Sequence, residues 1–104
     1  MHFVLLGEHN PEVCPTSNKT TRDLLLKRAP ELPDIAKRCG VNIVAGPFVN
    51  REHIAVLIAS ADRAEAIDQF LTESNLAQWN RVRILPSLPM EEGLNEVRES
   101  SSIF

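Results

Sequence analysis

The sequence predicts a single α+β domain with the element order β-α-β-β-α-β and a short C-terminal helix. Three observations predict it. Four short runs are apolar or alternate apolar with polar residues, at His2–His9, Val41–Asn50, His53–Ala59 and Trp79–Leu85. Two stretches with helical spacing of apolar residues fall between the first and second runs and between the third and fourth. The second and third runs are joined by Asn50-Arg51-Glu52, a connection short enough to make an antiparallel hairpin.

Each element has its own justification. Phe3-Val4-Leu5-Leu6 supplies the apolar body of the first strand. Asn10 to Asn18 is a loop carrying Pro11 and Pro15, and Ser17 or Asn18 is placed to cap a helix beginning near Lys19. Leu24, Leu25, Leu26, Leu32, Ile35 and Ala36 form the apolar face of that helix. Pro30 and Pro33 should kink or split it, because each lacks an N–H and clashes with the preceding turn. Gly40 is a natural left-handed stop.

Gly46-Pro47 marks the second strand as an edge or a bulge. Asp62 with Glu65 resembles a capping box at the start of the second helix, whose inner face is Ala64, Ile67, Phe70 and Leu71. On the fourth strand Arg81 and Arg83 alternate with Val82 and Ile84. Pro89 followed by Glu91 and Glu92 opens the last helix, with Met90, Leu94 and Val97 as its apolar stripe. Right-handed crossovers then give an antiparallel sheet ordered 4-1-3-2 with both main helices on one face, the ferredoxin-like arrangement. Residues 1–99 form the domain, and residues 100–104 are expected to be a flexible tail.

Composition narrows the function classes. The chain has 104 residues, 43% hydrophobic and 24% charged, with a formal net charge of −3. A chain of this size buries roughly 65% of its unfolded surface. Its few elements leave one sheet face thinly covered, and dimerisation is the usual remedy. No basic run and no Tyr are present, which argues against nucleic acid as a partner. No apolar run approaches the ~20 residues that span a bilayer, so no membrane partner is expected. The N-terminus lacks a basic region leading into a long apolar one. Two cysteines are too few for a disulfide framework. The expectation is a cytoplasmic protein with reduced thiols.

Several segments together carry a resemblance. They are Phe3-Val4-Leu5-Leu6-Gly7-Glu8-His9, Val44-Ala45-Gly46-Pro47, the run from Ile58 through Ala61-Asp62 to Phe70-Leu71, and Val82-Arg83-Ile84-Leu85-Pro86. With the element order and the length, they resemble the dimeric α+β barrel superfamily, in particular its small uncharacterised GYD-like members. The resemblance implies a homodimer in which the open sheet faces of two protomers enclose a barrel. It also implies a range of activities, from cofactor-free monooxygenases and haem-degrading enzymes to lactone isomerases and simple binding proteins. Fold alone does not choose among them.

The topology itself gathers polar residues at one end of the sheet. The first strand ends at His9, the second at Asn50, and the third starts at His53. The loop with Cys14, Ser17 and Asn18 precedes the first helix there, and Trp79 opens the fourth strand. His9, His53 and Cys14 would offer two imidazoles and a thiolate, a set suited to zinc, iron or copper. Glu8 or Glu52 would be a fourth ligand or an acceptor for an imidazole N–H. Polar strand ends in solvent are the alternative reading.

Cys14 is also the candidate nucleophile, since a nearby helix N-terminus lowers a thiol pKa. Thr16, Ser17 and Asn18 would donate to an oxyanion there. Cys39 cannot join it from the far end of a helix roughly 25 Å long, because a disulfide needs Cα atoms within about 7 Å.

For a small anionic ligand the expected contacts are Arg81, Arg83, Asn50, Trp79, Ser17 and Asn18. This reading has Arg81 and Arg83 facing a barrel cavity, with His53, Ala55, Leu57 and Ala59 on the same side and the bulky Ile54, Val56 and Ile58 toward the helices. Edge arginines that discourage aggregation explain Arg81 and Arg83 equally well. The function expected is a homodimer that binds a metal ion or small ligand at the His9, Cys14 and His53 end. Two alternatives stand beside it: a monooxygenase-like oxidoreductase acting in the barrel cavity, and a structural or assembly module.

Overall fold

The computed structural model describes residues 1–99, and the tail expected at 100–104 lies outside the described residues. The elements are β1 (His2–Glu8), α1 (Lys19–Arg28), α2 (Leu32–Cys39), β2 (Asn42–Phe48), β3 (Ile54–Ser60), α3 (Ala64–Glu73), α4 (Leu76–Trp79), β4 (Arg81–Ser87) and α5 (Met90–Glu99). The four strands form one antiparallel sheet in the order β2-β3-β1-β4. The fold is α+β and consistent with a ferredoxin-like arrangement.

Local sequence explains the boundaries. Asn18 caps α1 by accepting the Thr21 N–H at 3.0 Å. Pro30 and Pro33 do split the first helical stretch. A 3-10 turn at Ala29–Glu31 separates α1 from α2, and each proline sits where its missing N–H has no helical partner to lose. Gly40 ends α2 at φ 77°, the left-handed conformation that frees Val41 N–H to reach the Ala36 carbonyl at 2.8 Å. The capping box expected from Asp62 does not form: Arg63 is the N-cap residue of α3, without a side-chain cap.

The central strand organises the core. Leu5 pairs with Leu57, and Phe3 with Ala59, across β1 and β3. Directly opposed residues share a face of the sheet. That face meets Leu32, Ile35 and Ala36 of α2 and Ile67, Phe70 and Leu71 of α3, while Val82 and Ile84 of β4 pack at its margin.

Two expectations are corrected here. Leu57 and Ala59 are 5% and 0% exposed within the helix-side core, so they do not face a barrel lumen. Ala55, which alternates with Leu57, shares a small helix-side gap with Leu5, Leu71 and Val82. Ile54, Val56 and Ile58 occupy the other face. The alternation itself holds and the expected side is reversed, because bulk favours the wrong face; His53 precedes β3 at φ 60° and takes no part in its pleat. Likewise Trp79 closes the short helix α4 rather than opening the fourth strand, which begins at Arg81.

The face away from the helices carries Val4, Leu6, Val56, Ile58 and Leu85, with Phe48 beside Val56 and half exposed. Arg81 and Arg83 stand on it opposite Glu8 and Leu6. No described element covers it. The α5 helix buries none of its residues and leaves Met90, Leu94 and Val97 in solvent. No helix among the described residues is long and apolar enough to cross a membrane.

Phe70 is fully buried between α3 and the sheet. Phe70→Ala is expected to cost about 3–5 kcal/mol of stability, through lost transfer energy and the cavity left behind. Leu26→Ala, at an exposed position on α1, should stay within about 0.5 kcal/mol of wild type. Urea unfolding of the two variants beside wild type checks both values.

Candidate metal centre

Three local devices present the candidate residues. The first is the end of the β1–β3 ladder. His9 follows β1 directly, and its N–H donates to the His53 carbonyl at 3.2 Å, one step beyond the regular pairing. Alternation along β1 puts His9 on the same face as Phe3, Leu5 and Gly7. The second is the Asn50 turn. Asn50 Oδ1 accepts the Glu52 and Ile54 N–H groups at 3.1 and 3.2 Å, and its Nδ2 donates to the Ile54 carbonyl at 2.6 Å. These bonds hold His53 at φ 60°, in the left-handed region uncommon for a residue with a side chain.

The third device is the loop after β1. Cys14 N–H donates to the Pro11 carbonyl, and the Cys14 carbonyl accepts the Ser17 and Asn18 N–H groups at 2.9 and 2.8 Å. Ser17 Oγ donates to the Pro11 and Cys14 carbonyls, and Asn18 Nδ2 donates to the Glu12 carbonyl. Ser17 and Asn18, expected as ligand contacts, therefore spend their side chains on folding this loop.

The result is a cluster of His9, Cys14 and His53. One ring nitrogen of each histidine and Cys14 Sγ all lie within 4.8 Å of one another. The His9 and His53 rings meet edge to face at 5.3 Å between centroids, and the Trp79 ring lies 5.1 Å from His9.

The tautomer of neutral His9 follows from its neighbour. Asn80 is clamped to α4: its backbone N–H and its Nδ2 both donate to the Leu76 carbonyl. Its Oδ1 is thereby turned to His9 Nδ1, 2.9 Å away. An amide oxygen only accepts, so Nδ1 donates, and in the neutral imidazole Nε2 is the nitrogen with the lone pair. That Nε2 is buried, and among the described residues it is the side-chain nitrogen or oxygen left buried without a hydrogen-bond partner.

Cys14 Sγ lies 3.0 Å from Thr16 Oγ1. Hydrogen bonds from the Thr16 hydroxyl and backbone N–H pull the Cys14 thiol below its ordinary pKa. Partial burial opposes them, and the His53 imidazole adds to the lowering. Cys39 is the opposite case. Burial comes first, then the Glu73 carboxylate that accepts its S–H at 2.9 Å, and together they raise its pKa. Both thiols are free.

Two cavities flank the cluster. One, of about 380 Å³, is lined by His9, Cys14 and His53 together with Leu25, Val49, Ile54 and Trp79. The other, of about 580 Å³, is lined by the two imidazoles with Glu8, Glu52 and Arg81. Arg81 sits 3.5 Å from Glu8 in an exposed ion pair. Arg83 lies on the open sheet face, opposite Leu6. Asn50 and Trp79 reach the smaller cavity, Asn50 through its turn.

Sequence reasoning placed the three cluster residues together but missed the task of Asn80. It lies 71 positions from His9, and only the return of α4 over the end of β1 brings the two side chains into contact. Compared with family models, curated proteins and solved structures, the chain matches none of them.

The contrast between the two thiols is testable. In metal-free protein, Cys14 should alkylate with iodoacetamide at half its limiting rate at a pH below the ordinary thiol value, and Cys39 above it. Near neutral pH Cys14 should therefore react faster than Cys39. Peptide mass spectrometry across a pH series reads both rates, and equal profiles would contradict the asymmetry.

Proposed function

We propose that this protein binds a transition-metal ion through His9 Nε2, the His53 imidazole and the Cys14 thiolate. The observation that carries the reading is the buried, unpartnered Nε2 of His9, on a residue clustered with a second imidazole and with a thiol whose pKa is already lowered. A buried acceptor without a partner costs about 1–3 kcal/mol. Coordination would satisfy it and draw on the thiolate character of Cys14.

The Asn80 contact supports the same reading. A ligating histidine characteristically donates its other ring N–H to a fixed acceptor, which sets the tautomer and the ring plane. The cluster needs modest closure. Tetrahedral zinc, with bonds near 2.0 Å to nitrogen and 2.3 Å to sulfur, would separate its ligand atoms by roughly 3.3–3.5 Å. Rotations of the Cys14 and His53 side chains of about an ångström supply that, with His9 held by Asn80. Two imidazoles and one thiolate suit zinc first, with copper and iron as competitors.

A second reading concerns assembly. The uncovered sheet face, with Val4, Leu6, Val56, Ile58 and Leu85, is an apolar surface that a second copy of the chain would bury, as the dimeric α+β barrel resemblance implies. The three candidate ligands lie at the end of the sheet, where Glu8 and Arg81 of the open face wall the larger of the two cavities, so dimerisation would border that cavity without using the ligands themselves.

Tag-free protein purified without chelator and supplemented with zinc should carry about one ion per chain by elemental analysis. His9→Ala, Cys14→Ser and His53→Ala should lose it while keeping wild-type circular dichroism. Asn80→Ala should weaken zinc binding by about 10–100-fold in a chelator competition. Metal absent from well-folded wild type after supplementation would end this reading. For assembly, sedimentation should give twice the 11.6 kDa chain mass, with Ile58→Lys shifting the protein to monomer. A wild-type monomer at every concentration measured would refute the dimer.

A further inference from the structure

The metal reading leaves one coordination position to account for. Among the described residues the cluster supplies three ligands. A structural zinc site closes with four protein ligands, whereas a site with three keeps a position for water or an exogenous donor. What surrounds that position decides what enters.

The two flanking cavities differ in character. The larger is walled by Glu8, Glu52 and Arg81 and is suited to water. The smaller reaches all three ligands, and most of its remaining wall is apolar: Leu25 from α1, Val49 and Ile54 beside the hairpin turn, and the Trp79 ring. Arg51 lines it as well, and is the charged residue on that wall. Its volume of about 380 Å³ falls at the small end of ligand cavities, roughly 300–1,000 Å³.

Resting on the metal reading, we infer that the centre is an open one whose free position takes a small molecule with an anionic, metal-coordinating head and an apolar body. The head binds the ion and gains from the Arg51 guanidinium. The body lies between Leu25 and Trp79. An acid or hydroxamate with an aromatic or short aliphatic group has this chemistry. A purely polar anion of the same head group lacks the second half of it.

Cobalt(II) makes the centre visible, since thiolate ligation gives a near-ultraviolet charge-transfer band and the ligand-field bands respond to a change at the free position. Wild-type protein is loaded with cobalt and titrated with benzohydroxamate and with acetohydroxamate. The expected result is a shift of the ligand-field bands by both, with benzohydroxamate binding at least about tenfold tighter through the apolar wall. Leu25→Ala, which leaves the three ligands in place, should cut that advantage about threefold or more. Cobalt bound with the thiolate band, but bands unmoved by either hydroxamate or moved with equal affinity, would overturn this inference and leave the metal reading standing. Failure to bind cobalt at all would overturn both.

Discussion

The register of β1 against β3 is the constraint on which the rest depends. Leu5 opposite Leu57, and Phe3 opposite Ala59, fix one face of the sheet toward α2 and α3. A slip of one residue would turn that set to solvent and bring Val4, Leu6 and Ile58 inward. The same register carries beyond the core. Continued two residues past Gly7, it sets His9 on the helix side, where its N–H meets the His53 carbonyl. The position of His9 is thus an extension of the hydrophobic pairing pattern, while the Asn50 turn and the loop after β1 bring His53 and Cys14 to it.

Around that fixed point the structure accepts local costs. His53 sits at positive φ, and His9 Nε2 is buried without a partner. Each is unfavourable taken alone, by about 1–3 kcal/mol. The turn built by Asn50 and the clamp of Asn80 on Leu76 hold both features in place. Side-chain amides are being used to position imidazoles, and on His9 they leave Nε2 without a partner. A purely structural polar network would be expected to pair its members. The unpaired atom is what separates this cluster from an ordinary polar strand end.

Much of this was legible in the sequence, for reasons that can be named. Element order followed from apolar periodicity, and the split of the first helical stretch followed from Pro30 and Pro33. The convergence of His9, Cys14 and His53 followed from topology alone, because strand ends and loop starts must share an end of the sheet. The facing of β3 was not legible. Ile54, Val56 and Ile58 are bulkier than Ala55, Leu57 and Ala59, and bulk favoured the wrong side. Partner residues decide the matter: Ala59 stands opposite Phe3, and both are fully buried in one core with Phe70. The roles of Asn80 and Thr16 were also hidden, since a polar side chain's partner is set by tertiary contact rather than by spacing.

The corrected facing of β3 changes how the two surfaces of the sheet relate. With Leu57 and Ala59 turned inward, the open face offers branched side chains rather than a small-residue hollow, and Arg83 stands among them. Such a face is suited to packing against another surface more than to holding a molecule. The cavities that reach the His9, Cys14 and His53 cluster lie at the sheet end, under the loop that carries Cys14. The three candidate ligands and the apolar part of the open face therefore occupy different places, while Glu8 and Arg81 of that face wall the larger cavity. A substitution at Val4 or Ile58 leaves the imidazoles untouched, and one at Leu25 changes the smaller cavity without touching the open face. That separation follows from period-two alternation along a strand, which sends neighbouring residues to opposite sides of one sheet.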